Sequence, residues 1–222
     1  MGYHFDFAVI IESWQRLLDG CLLTLQLSAI SMVLALVIAL LTVLARRSSI
    51  RPLQWLARAF IEIIRNTPFL VQVFFIFFGL PSLGISLTAG TGAVLALGLN
   101  GGAFCAEVIR GGVDAIHRGQ IEAGTALGLR PLQVFRYIIL RPALRIIYPA
   151  LSAQFILLLL TSSIVSSISA EELTSVAQQL ESTTFRSFEI YVTVILLYLV
   201  MSTIFSTIFK TIGRYYFSYP VK

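Results

Sequence analysis

Five stretches of this chain, residues 20–45, 56–79, 87–109, 144–164 and 190–209, are dominated by apolar side chains with few interruptions. A helix rises 1.5 Å per residue, so crossing a hydrocarbon layer of about 30 Å takes about 20 residues. All five stretches reach that length, and each predicts a membrane-spanning helix. Residues 5–18 read differently. Phe5, Phe7, Ile10, Ile11 and Trp14 are interleaved with charges, the pattern of an amphipathic helix lying along an interface. The pattern predicts residues 1–19 as an interfacial segment, 20–212 as one transmembrane domain and 213–222 as a cytoplasmic tail. The fold class is all-α with five spans, because lipid leaves backbone polar groups only helices or closed barrels as partners.

Composition agrees. Of 222 residues 57% are hydrophobic and 12% charged, with mean hydropathy +0.88, far too little charge for a water-soluble surface. The net charge of +5 matters less than its distribution. Arg46, Arg47, Arg51, Arg58 and Arg65 follow the first stretch. Arg110, Arg118, Arg130, Arg136, Arg141 and Arg145 follow the third, and Lys210, Arg214 and Lys222 the fifth. Only Arg16 and Arg186, accompanied by Glu171, Glu172, Glu181 and Glu189, fall on the other side of a five-span arrangement. Basic loops stay in the cytoplasm, so the N-terminus is expected outside and the C-terminus inside. The first fifteen residues hold Asp6 and Glu12 but no Lys or Arg, which does not fit a cleavable signal.

Several functions are excluded. Cys21 and Cys105 sit in apolar stretches without metal-ligand spacing and are expected to be packing residues. The only histidines are His4 and His117, too few for a metal or catalytic constellation, and His117 is expected to be a solvated loop residue. No phosphate-binding Gly-x-x-x-x-Gly-Lys loop is present, the only lysines being Lys210 and Lys222. The chain is therefore expected to be a non-enzyme holding no metal or cofactor. A stand-alone channel or proton-coupled carrier should carry ionisable residues at mid-span, and this chain has almost none there.

The connection over residues 110–145 is the longest on the cytoplasmic side. Its sequence from Gly119 to Pro131 predicts a short helix. Glu122 is expected in the first turn, where a carboxylate meets the positive end of the helix dipole. Gly128 is expected in the left-handed conformation that ends a helix, and Pro131 blocks continuation. Gln120, Glu122, Ala123, Gly124, Ala126, Leu127 and Gly128 would form a small, partly apolar face suited to a partner's groove. The same residues would serve equally as a helix resting on the bilayer surface.

This segment resembles the EAA loop of ABC-importer permeases, Glu-Ala-Ala-x-x-x-Gly followed by Ile-x-Leu-Pro. Glu122, Ala123, Gly128, Ile138 and Leu140 fall on the pattern, whereas Gly124 replaces its second Ala and Arg141 its Pro, with Pro142 one place later. Gly124 should loosen the helix by up to about 1 kcal/mol. Thr24–Ser28, the run from Arg65 to Gln72, the run from Ala106 to Gly112 and Glu171-Glu172-Leu173-Thr174 resemble the polar amino-acid branch of that family. Leu160 stands where that branch often has Lys. The resemblance implies a type I importer, in which two permease chains, identical or sister, form the pathway. Two cytoplasmic ATPases binding ATP and magnesium would drive it, and an external binding protein would deliver an amino acid across the bacterial inner membrane.

Polar residues within the spans supply the remaining candidates. Glu62 with Arg65, and Glu107 with Arg110, are three apart and share a helix face, as ion pairs near the cytoplasmic interface or as functional charges. Gln72 and Asn100 are placed either to line a pathway or to pack helices, and Gly98, Gly101 and Gly102 allow a close helix neighbour. Ser162, Ser163, Ser166, Ser167 and Ser169 make the end of the fourth span polar, which suits a translocation route or serines bonding their own backbone. Glu171, Glu172 and Glu181 could meet a binding protein or simply be solvated.

Overall fold

In the computed structural model, which describes residues 5–217, every regular element is helical. In chain order these are α1 (Ala8–Glu12), α2 (Trp14–Arg47), α3 (Arg51–Arg65), α4 (Phe69–Leu83), α5 (Ala89–Asp114), α6 (Arg118–Ala126), α7 (Pro131–Ile168), α8 (Leu173–Thr184) and α9 (Ser187–Phe217). Helices α2, α5, α7 and α9 are each long and apolar enough to cross a membrane, and α3 with α4 makes a fifth, broken crossing.

The second span is not one helix over 56–79. Helices α3 and α4 meet at 113° across Asn66-Thr67-Pro68. Proline has no N–H to continue the ladder and drives the preceding residue out of the helical region. Only Ala57 and Ile61 of α3 are fully buried, whereas α4 carries the phenylalanine-rich run. The other boundaries shift outward. Helix α2 begins at Trp14, so the interfacial segment shrinks to the five residues of α1; α7 begins at Pro131; and α9 continues to Phe217, absorbing the start of the expected tail. His4 and Lys222 lie outside the described residues.

The main core forms where α2 lies along α5. Ala35 and Ala39 of α2 face Ala96, Leu97, Cys105 and Ala106 of α5, all within one buried cluster. Lipid gives helices no hydrophobic reason to associate, so close van der Waals contact must do it, and small residues permit that contact. A β-carbon on Gly102 would lie 2.7 Å from Ile38 Cγ2 and 3.3 Å from the Ala35 carbonyl oxygen. Cys105 is a packing residue here, and Cys21 half-buries against a second cluster of Leu17, Leu173, Leu180 and Ile190, where α8 lies across α2 and α9.

Gly102→Leu should lower stability by about 1–3 kcal/mol, the usual cost of overpacking, read as a drop in the melting temperature of the detergent-extracted protein. Gly90→Leu, at a position with open space around it, should leave that temperature nearly unchanged.

Candidate functional site

The connection between α5 and α7 folds as expected from its glycines. Helix α6 ends because Gly128 adopts φ +77°, and the chain doubles back. The Leu129 N–H donates to the Gly124 carbonyl at 3.2 Å and the Gly128 N–H to the Thr125 carbonyl at 3.0 Å, the paired bonds of a left-handed helix stop. Gly124 is the one fully buried residue of α6, and a β-carbon there would overlap Ile138 Cδ1. The replacement of the pattern's second Ala by Gly therefore coincides with a close seat for α6 against α7.

Outward, α6 presents Gln120, Glu122, Ala123, Ala126 and Leu127, all exposed, Leu127 at 83%. The Glu122 carboxylate has no hydrogen bond or ion pair among the described residues. It is the fifth residue of the helix rather than part of its first turn, because α6 already begins at Arg118 behind His117. His117 is exposed, as expected of a loop residue. Behind α6, the chain re-enters α7 through the Arg130 N–H bonded to Gln133 Oε1 at 2.8 Å, then a π-helical stretch over Val134–Leu140. Arg141, at the pattern's proline position, lies over the Tyr137 ring at 5.5 Å.

The charged pairs are rearranged. Glu107 and Arg110 do pair, at 2.8 Å, but Glu107 also bonds Arg46 of α2 and has Arg65 at 3.9 Å. Glu62 and Arg65 do not pair. The bend after Arg65 carries that side chain to α5, where it also lies over the Phe104 ring at 5.3 Å. Asp114 completes the cluster, bonded by Arg47 at 2.7 Å and Arg110 at 2.9 Å. Sequence reading missed Arg46, Arg47 and Asp114 in this role, although Glu107 and Asp114, seven apart, share one face of α5 and the two arginines end the neighbouring span.

Gln72 and Asn100 are brought together. Asn100 Nδ2 donates to Gln72 Oε1 at 3.0 Å, while Gln72 Nε2 lies 2.7 Å from the Ile64 carbonyl, 3.1 Å from the Thr67 carbonyl and 2.8 Å from Thr67 Oγ1. One buried side chain thus serves carbonyls that the α3–α4 break deprives of partners. The serines bond their own helix. Ser162, Ser163, Ser166 and Ser167 each donate to the carbonyl three residues back, at 2.7–2.9 Å, along the 3₁₀ stretch Ser162–Ile168. Ser162 is fully buried, and Ser163 and Ser166 are partly exposed. Ser169 ends this stretch in the left-handed conformation, φ 59°.

At the outer end, Glu172 is not a docking acid. It is fully buried as the cap of α8, accepting the Ser175 N–H at 2.7 Å and the Tyr198 hydroxyl at 2.6 Å. Burial pushes its carboxyl above the ordinary range, against the opposing pull of those bonds. Thr24 anchors the same corner by accepting the Leu173 N–H at 3.0 Å. Glu189 is buried and accepts the Asp6 N–H at 2.8 Å. Glu181 accepts the Ser187 and Tyr191 hydroxyls, which hold its carboxyl below the usual range, and Glu171 is exposed.

Residues 31–216 match the family described as binding-protein-dependent transport system inner membrane component. The chain belongs to this family. It is 38% identical over 202 residues to the glutamine transport system permease protein GlnP of Escherichia coli K12, covering 90% of this chain and 92% of the relative. It is 34% identical over 197 residues to the probable glutamine ABC transporter permease protein GlnM of Bacillus subtilis, covering 89% and 91%. A solved structure described as an amino acid ABC transporter with histidines superposes with TM-score 0.90 at 36% identity, covering 96% of this chain and 99% of that one. Permeases of this family are pore subunits.

Gln72→Leu should strand the Ile64 and Thr67 carbonyls at about 1–3 kcal/mol per group, seen as a lower melting temperature. Unchanged stability with altered transport would show Gln72 to be a pathway liner instead. Glu172→Gln tests the buried acid. Because the folded-state value is raised, Glu172 contributes its stability below the ordinary carboxylate range, and that contribution is lost as pH rises through the raised value. The Gln variant should therefore gain on the parent as pH increases from about 4.3 upward, in melting temperatures taken pairwise across pH.

Proposed function

We propose that this chain is the membrane-spanning subunit of an importer that carries an amino acid across a bacterial inner membrane. A second permease chain, identical or sister, completes the pathway, and an external binding protein delivers the cargo. Two cytoplasmic ATPases, which bind the ATP and magnesium, dock on α6. The observation that carries this reading is the geometry of α6. It is fixed to α7 on one side through Gly124 and Ile138, and on the other it offers Glu122, Ala123, Ala126 and Leu127 with nothing covering them. A helix resting on lipid would have little use for a bare carboxylate on that face, whereas a protein groove can pair it. The amino-acid cargo rests on the relatives, whose names specify glutamine and cystine.

A channel or proton-coupled carrier is disfavoured by the charges. In α2, α5, α7 and α9 the acidic and basic residues gather toward the helix ends, leaving the runs 20–45, 89–106, 146–168 and 190–209 without Asp, Glu, Lys or Arg.

Mass spectrometry of what co-purifies with the chain, tagged at native level and extracted in mild detergent, should find a P-loop ATPase. Recovery of the chain alone would overturn the importer reading. Glu122→Lys should keep normal membrane levels and reduce substrate-stimulated ATP hydrolysis about 10- to 100-fold, the worth of a hydrogen bond to a charged group. Unimpaired stimulation in that variant would remove the docking role from α6.

A further inference from the structure

A crevice of about 590 Å³ opens between α7 and α9 near their cytoplasmic ends, and its lining includes no residue of α6 and neither Gln72 nor Asn100. Arg145 enters it from α7 and Lys210 and Arg214 from α9, and Ser152 and Ser206 line it about one to two helical turns farther in. Among the described residues its lining includes no carboxylate. Toward the membrane midplane the walls also carry the apolar side chains of Ala153, Ile156 and Phe209. The crevice is braced where Tyr148 donates its hydroxyl to the Phe209 carbonyl at 3.0 Å. Gly213 lets the same ring approach, since a β-carbon there would lie 2.9 Å from Tyr148 Cε1.

Basic residues at a cytoplasmic helix end follow the positive-inside bias, and Arg214 also complements the end of the α9 dipole. Neither effect requires three cations from two helices to converge on one cavity whose other end is apolar. Cations gathered at the cytoplasmic end of a cavity whose inner walls are largely apolar match the order of groups along a phospholipid. The cytoplasmic leaflet is where anionic headgroups attract clustered Lys and Arg.

We infer that the α7–α9 crevice is a binding site for an anionic phospholipid of the cytoplasmic leaflet, with its phosphate held by Arg145, Lys210 and Arg214 and its chains running along Ile156 and Phe209. The site depends on the transmembrane placement of α7 and α9 and not on the cargo, so a failure of the importer reading leaves it untouched.

The test uses the intact transporter, with whatever subunits co-purify, in native mass spectrometry with phosphatidylglycerol or phosphatidylcholine titrated in. Phosphatidylglycerol should be retained in preference to phosphatidylcholine. Combining Arg145→Gln, Lys210→Gln and Arg214→Gln should weaken that retention about 100-fold, from the loss of three surface cations. Combining Arg51→Gln, Arg130→Gln and Arg136→Gln should not. If the triple variant fails to assemble, Lys210→Gln alone should still reduce retention several-fold. Equal retention of the two lipids, or displacement of phosphatidylglycerol by inorganic phosphate, would overturn the proposal. So would a disulfide between Ile156→Cys in this chain and in a second copy, which would put a protein in the crevice instead.

Discussion

Everything in this fold answers to one rule, that a backbone carbonyl or N–H inside a membrane must be paired by the protein itself. The rule is tested hardest at Asn66-Thr67-Pro68, where the chain turns through 113°. Gln72 resolves it with a single amide that serves carbonyls on the near side of the break and ties the far side to Asn100 of α5. Because α4 alone, at 15 residues, rises only about 22 Å, the break has to sit beside the core rather than in a solvent loop. The tight α2–α5 seam, with its alanines and glycines, gives the break something rigid to lean on. The serines of Ser162–Ile168 apply the same remedy where α7 winds into a 3₁₀ turn.

The charged residues obey a second constraint, that partly buried ions need partners. Glu107 and Asp114 gather arginines from α2, α3 and α5 into one cluster. Individual exposed pairs contribute little, but these link three segments whose apolar faces alone would allow them to slide. Glu172 and Glu189 do the corresponding work outside. Buried and hydrogen-bonded, they fasten α8 and the N-terminal residues to α9.

Much of this was legible in the sequence. The apolar runs gave the membrane class, and Gly128 gave the end of α6. The bend in the second span was not read, although Pro68 announces it. A count of apolar residues does not separate an amphipathic helix such as α3 from the true crossing that follows. The pairing of Arg65 was misread for the same reason, since a three-residue spacing argues for Glu62 only while the helix continues straight. Burial of Glu172 escaped because acidic residues after a span usually meet water. Here a hydroxyl from α9, twenty-six residues on, waits to receive it. Glu122 and its neighbours were legible as a pattern. The seat that holds them, Gly124 on Ile138, became visible only in three dimensions.

The seat has a mechanical corollary. Ile138 lies near the start of α7, whose 38 residues span about 57 Å at 1.5 Å per residue. Helix α6 is thus clamped to the short arm of a long rod, and the polar turn at Ser162–Ile168 rides on the other end. Tilting that rod by about 5° about its cytoplasmic end would carry the far tip roughly 5 Å, close to one helical turn. On that geometry a small tilt at the cytoplasmic end of α7 would be magnified at its far end.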